Sequence, residues 1–371
     1  MLAKLDAGPA ARILIGTYTG AVGAAGVARG LYAADWNGGT GVLGEPHLLA
    51  ELKNPSFLAA HPTRPLVYAV SEVRSFGGKE TGAVAALRLD GDAAVIEGVW
   101  PSHGTSPCHV TTDPRGEFLV VSNYGSGTVA VYPLADGLPR GEARVLRLEG
   151  SGPDRQRQSG PHAHSACFEP GGDRFWVQDL GTDRLWGFVL DRAARAVRPL
   201  VPSFTQLSAG CGPRHLAFHP RGRWAYVINE LDSTVIALAR DAKRGSLTPF
   251  QTVSTLSAAV RSALRNDCAD IHVSPDGASL YGSNRGHDNV AVWRIAAKDG
   301  RLAPVQHVSS GGGHPRNFTL SPDGRWLLAA NMNSDNIVVF RRDRRTGTLE
   351  RTGATAAPHP VCLLFAPSPA R

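Results

Sequence analysis

Glu230, His164, Arg214, Arg285 and Arg316 are the residues of this 371-residue chain whose types together could do chemistry. Attack on an ester or lactone carbonyl needs a base to take a proton from water and cationic or N–H donors for the oxyanion. It also needs an acid for the departing alkoxide. Glu230, assisted by His164, supplies the base, and either residue alone could do so. Arg214 and Arg285 suit the oxyanion or an anionic group of the substrate, and a second arginine would also hold Glu230 ionised. A plainer reading stands beside this one, in which Glu230 pairs with an arginine of the next repeat only to satisfy a buried charge.

What brings these residues together is a repeat. Pro62, Pro114, Pro170, Pro220, Pro275, Pro322 and Pro367 each end a short apolar run, at spacings of 52, 56, 50, 55, 47 and 45 residues. Several open a Pro-x-Gly turn, as in Pro220-Arg-Gly, Pro275-Asp-Gly and Pro322-Asp-Gly, which fixes one φ and then tolerates a positive one. Before the anchor, larger apolar residues alternate (Leu216 and Phe218, Ile271 and Val273, Phe318 and Leu320), the period of a strand. A second run ends at Asn229 or Asn331, a third follows (Thr234 to Leu238, Asn336 to Phe340), and Gly-x-Leu leads into a weaker fourth. Seven such copies predict an all-β fold, a seven-bladed β-propeller with four antiparallel strands per blade.

The last copy stops after its first strand, and the missing strands stand at the other end of the chain, in Ile13 to Tyr18, Gly30 to Asp35 and the run after Gly41. Residues 12–52 are therefore expected to complete the blade begun by 359–367. Pairing of the N- and C-terminal strands would close the ring and remove exposed sheet edges. The expectation is a single domain over residues 1–371.

Register within the repeat turns architecture into a site. Six residues before the anchors lie Ser56, Cys108, His164, Arg214, Ala269, Arg316 and Val361; ten after them lie Glu72, Tyr124, Leu180, Glu230, Arg285 and Met332. The first two strands are antiparallel, so the start of one meets the end of the other, and both sets gather around one mouth of the central channel. His162, His109, His215 and Asn317 stand beside them. With Tyr124, Glu72 and Arg316, these are the candidate substrate-binding residues.

Composition narrows the class. The net charge of +7 is spread over every blade and is nearly all arginine, without the clustered basic patch and stacking aromatics of a nucleic-acid interface. A small anionic substrate is the more economical partner. No apolar run approaches membrane-spanning length and the first residues lack a signal-peptide core, so a soluble cytoplasmic protein is expected, monomeric or weakly dimeric. Five cysteines without a C-x-x-C pair read as free thiols.

Seven segments, in order, carry a resemblance: Ile15-Gly-Thr-Tyr-Thr, Asn123-Tyr-Gly-Ser-Gly-Thr-Val, Gly160-Pro-His-Ala-His-Ser165, Asp179-Leu-Gly-Thr-Asp183, Gly212-Pro-Arg-His-Leu-Ala-Phe-His-Pro220, Val227-Ile-Asn-Glu230 and Asn331-Met-Asn-Ser-Asp-Asn-Ile337. Over essentially its whole length the chain resembles the lactonase family of seven-bladed propellers, which includes propeller-type 6-phosphogluconolactonases and the fungal 3-carboxy-cis,cis-muconate lactonising enzyme. The resemblance implies a catalytic group of His162 or His164, Arg214, Glu230 and Arg285, with no metal or other cofactor. It also implies a small anionic sugar lactone as substrate, 6-phosphogluconolactone first, whose phosphate would meet Arg316 or the polar loop 151–160. The same group could serve lactonisation of a carboxymuconate-like diacid, and a non-enzymatic propeller binding a partner on its channel face is the third class.

Other motifs keep two readings. The Asn or Asp nine residues past the anchors (Asn123, Asp179, Asn229, Asn284, Asn331) either ring a Ca²⁺ ion or bond their own turns. His162 and His164 could be two ligands of Zn²⁺, without an evident third. The arginine-rich stretch Pro153-Asp-Arg-Gln-Arg-Gln158 departs from the family pattern, and the loop holding it is either a lid over the mouth or an ordinary connection.

Overall fold

Each Pro-x-Gly anchor does what its residues dictate. In the computed structural model, which describes residues 11–20, 22–257 and 265–367, Gly116, Gly222, Gly277 and Gly324 all have φ between 66° and 73°. Each closes its turn by donating to the carbonyl three residues back: Asp113, His219, Ser274 and Ser321 respectively. The strands on either side then pair antiparallel, as in Leu216 opposite Val227 and Phe318 opposite Ala329.

Repeated seven times, the unit gives seven sheets running from channel to rim. The innermost strands are Leu58–Ala60, Pro107–Thr112, Ala163–Phe168, Pro213–Phe218, Asp267–Val273, Pro315–Leu320 and Pro360–Phe365, and they touch in a closed cycle, last against first. We call the sheets blades 1 to 7 in that order. The strand Pro360–Phe365 pairs antiparallel with Ala11–Thr17, Leu363 opposite Ile15, so strands from both ends of the chain share blade 7 as expected. Outer strands are present in every blade; that of blade 2, Arg144–Arg147, is the shortest.

The core is divided by interface. Seven apolar clusters lie one between each pair of neighbouring blades; Trp224 and Tyr226 of blade 4, for example, meet Trp293 of blade 5. Trp326 of blade 6 meets Trp36 of blade 7 edge to face, with centroids 6.0 Å apart. Burying both faces of every sheet fixes strand register firmly, because a one-residue slip would turn each apolar set the wrong way.

One irregularity recurs, and it positions the site. The pairing of the first two strands slips between Pro107 and His109, Ala163 and Ser165, Pro213 and His215, and Pro315 and Asn317. Cys108, His164, Arg214 and Arg316 are thus the extra residues of β-bulges, which re-aim a side chain that regular pleating would send elsewhere. Blade 5 slips over two residues, Ala269 and Asp270. Proline directly precedes the bulge residue in blades 2, 4 and 6, at Pro107, Pro213 and Pro315, where a first strand residue needs no ladder donor.

Candidate active site

Three of the residues singled out by register converge on the carboxylate of a fourth. Glu230 closes the second strand of blade 4 and is 5% exposed. Its Oε2 lies 3.0 Å from Arg214 Nε, 2.8 Å from Arg285 Nη2 and 4.0 Å from His164 Nε2, so blades 3, 4 and 5 each contribute. The other oxygen, Oε1, takes Arg157 Nη2 at 2.5 Å. The same Arg157 nitrogen donates to Tyr124 OH at 3.3 Å, and Nη1 is 4.0 Å from Asp267.

Burial would raise the Glu230 carboxyl, but Arg285, Arg214 and Arg157 outweigh it and hold it at about 2. His164 goes the other way from an ordinary imidazole: burial pushes its pKa well down, and Arg214, His215, Arg316 and Arg285 push further, so it is neutral at pH 7. Arg214, 2% exposed, is lowered to about 10 by burial and by Arg285 and Arg316, and stays charged at neutral pH. The site therefore holds a fully ionised, fully engaged carboxylate beside a free base.

The arginines are anchored so that each keeps an end free. Arg214 Nη1 donates to the Ala269 carbonyl at 2.5 Å, while Arg285 donates through Nε to Asp267 O and through Nη2 to Cys268 O. Arg214 Nη2 and Arg285 Nη1 have no hydrogen-bond partner among the described residues. Opposite them, the Arg316 guanidinium is half-buried over the ring of Tyr18, 5.2 Å from its centroid, with no carboxylate in ion-pair range among the described residues. Glu72, which the sequence placed in the site, accepts from Tyr18 OH at 2.8 Å and Ser56 Oγ at 2.5 Å on that side.

His162 and His164 part company. Ring Nδ1 of His162 donates to the Tyr124 carbonyl at 2.8 Å and the ring stacks on Tyr124 (4.5 Å, 15°), whereas His164 meets Tyr124 edge-on and approaches Glu230. Gly181 makes this possible: a Cβ there would lie 1.9 Å from the Gly160 carbonyl, just ahead of the histidine pair. Among the described residues no group of three or more His, Cys, Asp and Glu could hold a metal ion.

Three expected substrate contacts have partners within the protein. Asn317 donates to Asp270 Oδ2 at 2.5 Å and accepts from Leu363 N at 2.7 Å, so its amide is spent within the protein. His215 donates through Nδ1 to Asp270 Oδ1 at 2.8 Å, and His109 packs against Phe57, tilted by 33°, while accepting weakly from Ala166 N. His215 and Asn317, with Asp270 as hub, form a belt across blades 4 to 7 that supports the site, and His109 of blade 2 meets His215 edge-on; Arg214 Nη1 lies 3.4 Å from His215 Nε2. The repeated asparagines are turn staples: Asn123, Asn229, Asn284 and Asn331 each donate to the residue five further on.

The sequence reading missed Arg157 as a partner of Glu230, and Asp270 altogether. Arg157 lies in the loop whose composition departed from the rest, which was the available signal; Asp270 was hidden by the two-residue bulge of blade 5.

The comparisons agree with this architecture. The family model for the seven-bladed β-propeller lactonases matches residues 12–365. The chain is 35% identical to the 6-phosphogluconolactonase of Bacillus subtilis over 95% of this chain and 97% of that one. It is 34% identical to the Formosa agariphila 6-phosphogluconolactonase, over 87% and 91%. The solved structure of the Pseudomonas aeruginosa periplasmic gluconolactonase superposes with a TM-score of 0.87 at 29% identity, covering 96% of this chain and 100% of that one.

Proposed function

This chain belongs to the seven-bladed β-propeller lactonase family, and from that premise we propose that it hydrolyses a small anionic sugar lactone, 6-phosphogluconolactone before others, at the Glu230 cluster. The observation that carries the reading is the pairing of a neutral buried imidazole with two arginines that each keep one Nη without a partner among the described residues. A carboxylate merely satisfied by a neighbouring cation would need neither the histidine nor a third guanidinium.

The steps balance on these residues. A water set between His164 Nε2 and Glu230 Oε2, 4.0 Å apart, could contact both at about 2.8 Å with an angle near 90° at its oxygen. His164 takes one proton as the oxygen attacks the lactone carbonyl carbon. Glu230 carries the other hydrogen bond and its charge supports the imidazolium. Glu230 Oε2 is already held by Arg214 and Arg285, which keep its carboxyl low, so we assign the leading base role to His164, with Glu230 assisting. The tetrahedral oxyanion sits against Arg214 Nη2 and Arg285 Nη1. When the ring C–O bond breaks, the His164 imidazolium returns its proton to the departing alkoxide, giving the open hydroxy acid. Arg316, with no carboxylate in ion-pair range among the described residues, adds to the positive field that draws an anionic substrate.

Five free cysteines, four of them buried, accord with a reducing compartment, and we place the protein in the cytoplasm on that basis. The test is a panel of phosphorylated and plain aldonolactones, followed by acid release above the spontaneous rate, with and without a chelator. Turnover of a phosphorylated sugar lactone, unaffected by chelation, supports the reading. Inertness toward the whole panel, with a diene absorbance change on a carboxymuconate-like diacid, would assign the site to lactonisation instead.

A further inference from the structure

Three guanidinium groups on one carboxylate are more than its neutralisation requires. Arg214 and Arg285 come from the rigid blades and hold Oε2, whereas Arg157 comes from the loop before blade 3 and holds Oε1 alone. The backbone on both sides of Arg157 is fixed. Asp154 Oδ1 accepts from Gln156 N and Arg157 N at 2.9 and 3.1 Å, and Gln158, fully buried, donates to Leu180 O and Asp183 Oδ1, each at 2.8 Å. The side chain is free by comparison: it is 27% exposed and touches polar groups at its tip.

From this arrangement we propose that Arg157 is a substrate-operated latch, closed on Glu230 Oε1 in the free protein and drawn off by the phosphate of a phosphorylated lactone. The asymmetry of partners drives it. Glu230 keeps two guanidinium groups after Arg157 leaves, whereas an incoming phosphate dianion has none until it arrives, and it offers the fork of Arg157 a bidentate seat. Departure of Arg157 uncovers the one oxygen of Glu230 that faces away from the blade arginines. It also leaves the carboxylate less neutralised and better able to support the imidazolium at His164. Phosphate recognition, remote from the reacting carbonyl, is thereby converted into rate, and a lactone without phosphate meets a closed site.

The inference rests on the lactonase reading of the site, and the experiment separates the two. Hydrolysis of 6-phosphoglucono-δ-lactone and of glucono-δ-lactone is measured for wild type, R157Q and R316A, with inorganic phosphate added in a second series. The latch predicts that R157Q lowers the kcat/KM preference for the phosphorylated lactone by at least about tenfold, in part by gaining on the plain one. R316A, which loses a cation but keeps the latch, weakens both substrates without that gain. Millimolar inorganic phosphate should accelerate plain-lactone hydrolysis severalfold in wild type, a readout that needs no variant to fold, and leave R157Q unchanged. An unaltered preference in R157Q, or a wild type indifferent to phosphate, overturns the latch. A wild type that opens neither lactone overturns the underlying reading instead.

Discussion

Replacing Glu230 by glutamine keeps the shape of the side chain and removes its charge, leaving Arg157, Arg214 and Arg285 facing one another without a counter-ion. The stability cost follows from the carboxyl itself. Its pKa is about 2 in the folded protein against an ordinary 4.5, a depression worth roughly 3 kcal/mol, comparable to the roughly 3–5 kcal/mol for breaking a buried charge pair. Because the folded-state pKa is the lower one, this contribution is complete above about pH 4.5 and disappears as pH falls toward 2. The gap between wild type and E230Q in urea unfolding should therefore be widest at neutral pH and close in acid. The kinetic cost adds loss of the imidazolium's partner and of arginine aim, and we expect kcat/KM for the best lactone to fall by about 10²-fold or more. Initial rates at 25 °C and a urea series on the same samples read both. A variant destabilised as stated but within about threefold of wild-type kcat/KM, under ~1 kcal/mol of barrier, would make Glu230 a charge partner only and refute the assignment.

Other expectations follow from the same geometry. His164 works as the neutral base and its pKa is depressed, so kcat/KM should rise through a value below 6.5 and stay flat across neutrality; R316A removes one of the charges depressing it and should move that acid limb upward. H164A should lose about 10²–10⁴-fold in kcat with a smaller change in KM, measured above pH 7 where wild type is on its plateau. Asp270 accepts from His215, Asn317 and His272 at once, so D270A leaves two buried donors and a partly exposed third without their acceptor and should cost several kcal/mol, on the order of 3–5, in denaturant unfolding. R285A should lower kcat by about 10²-fold or more while the fold, read by near-ultraviolet dichroism, persists.

The blades were legible because the copies share one pattern: alternation before a proline anchor, a Pro-x-Gly turn in most of them, and a second run that ends in Asn or a similar small polar residue. Position relative to the anchor was enough to bring His164, Arg214, Glu230 and Arg285 together. The reason it worked is not the plain pleat but the bulge at His164 and Arg214, a backbone feature that spacing alone does not reveal. Where the bulge lengthens, in blade 5, the same counting picks the apolar Ala269 and overlooks Asp270 beside it. Arg157 was out of reach for a different reason, since a loop outside the repeat has no register to count from. Asn317 and His109 were near the right place, but which way an amide or imidazole spends its hydrogen bonds depends on three-dimensional neighbours such as Asp270 and Ala166.

A crystal structure with 6-phosphogluconate, the product of the proposed reaction, bears most directly on whether this cluster opens a phosphorylated sugar lactone. The account predicts the new carboxylate between Arg214 Nη2 and Arg285 Nη1, within reach of His164, with the phosphate paired to Arg157. Product bound away from Glu230, with the four side chains still closed on one another at a concentration where binding is measured in solution, would contradict it.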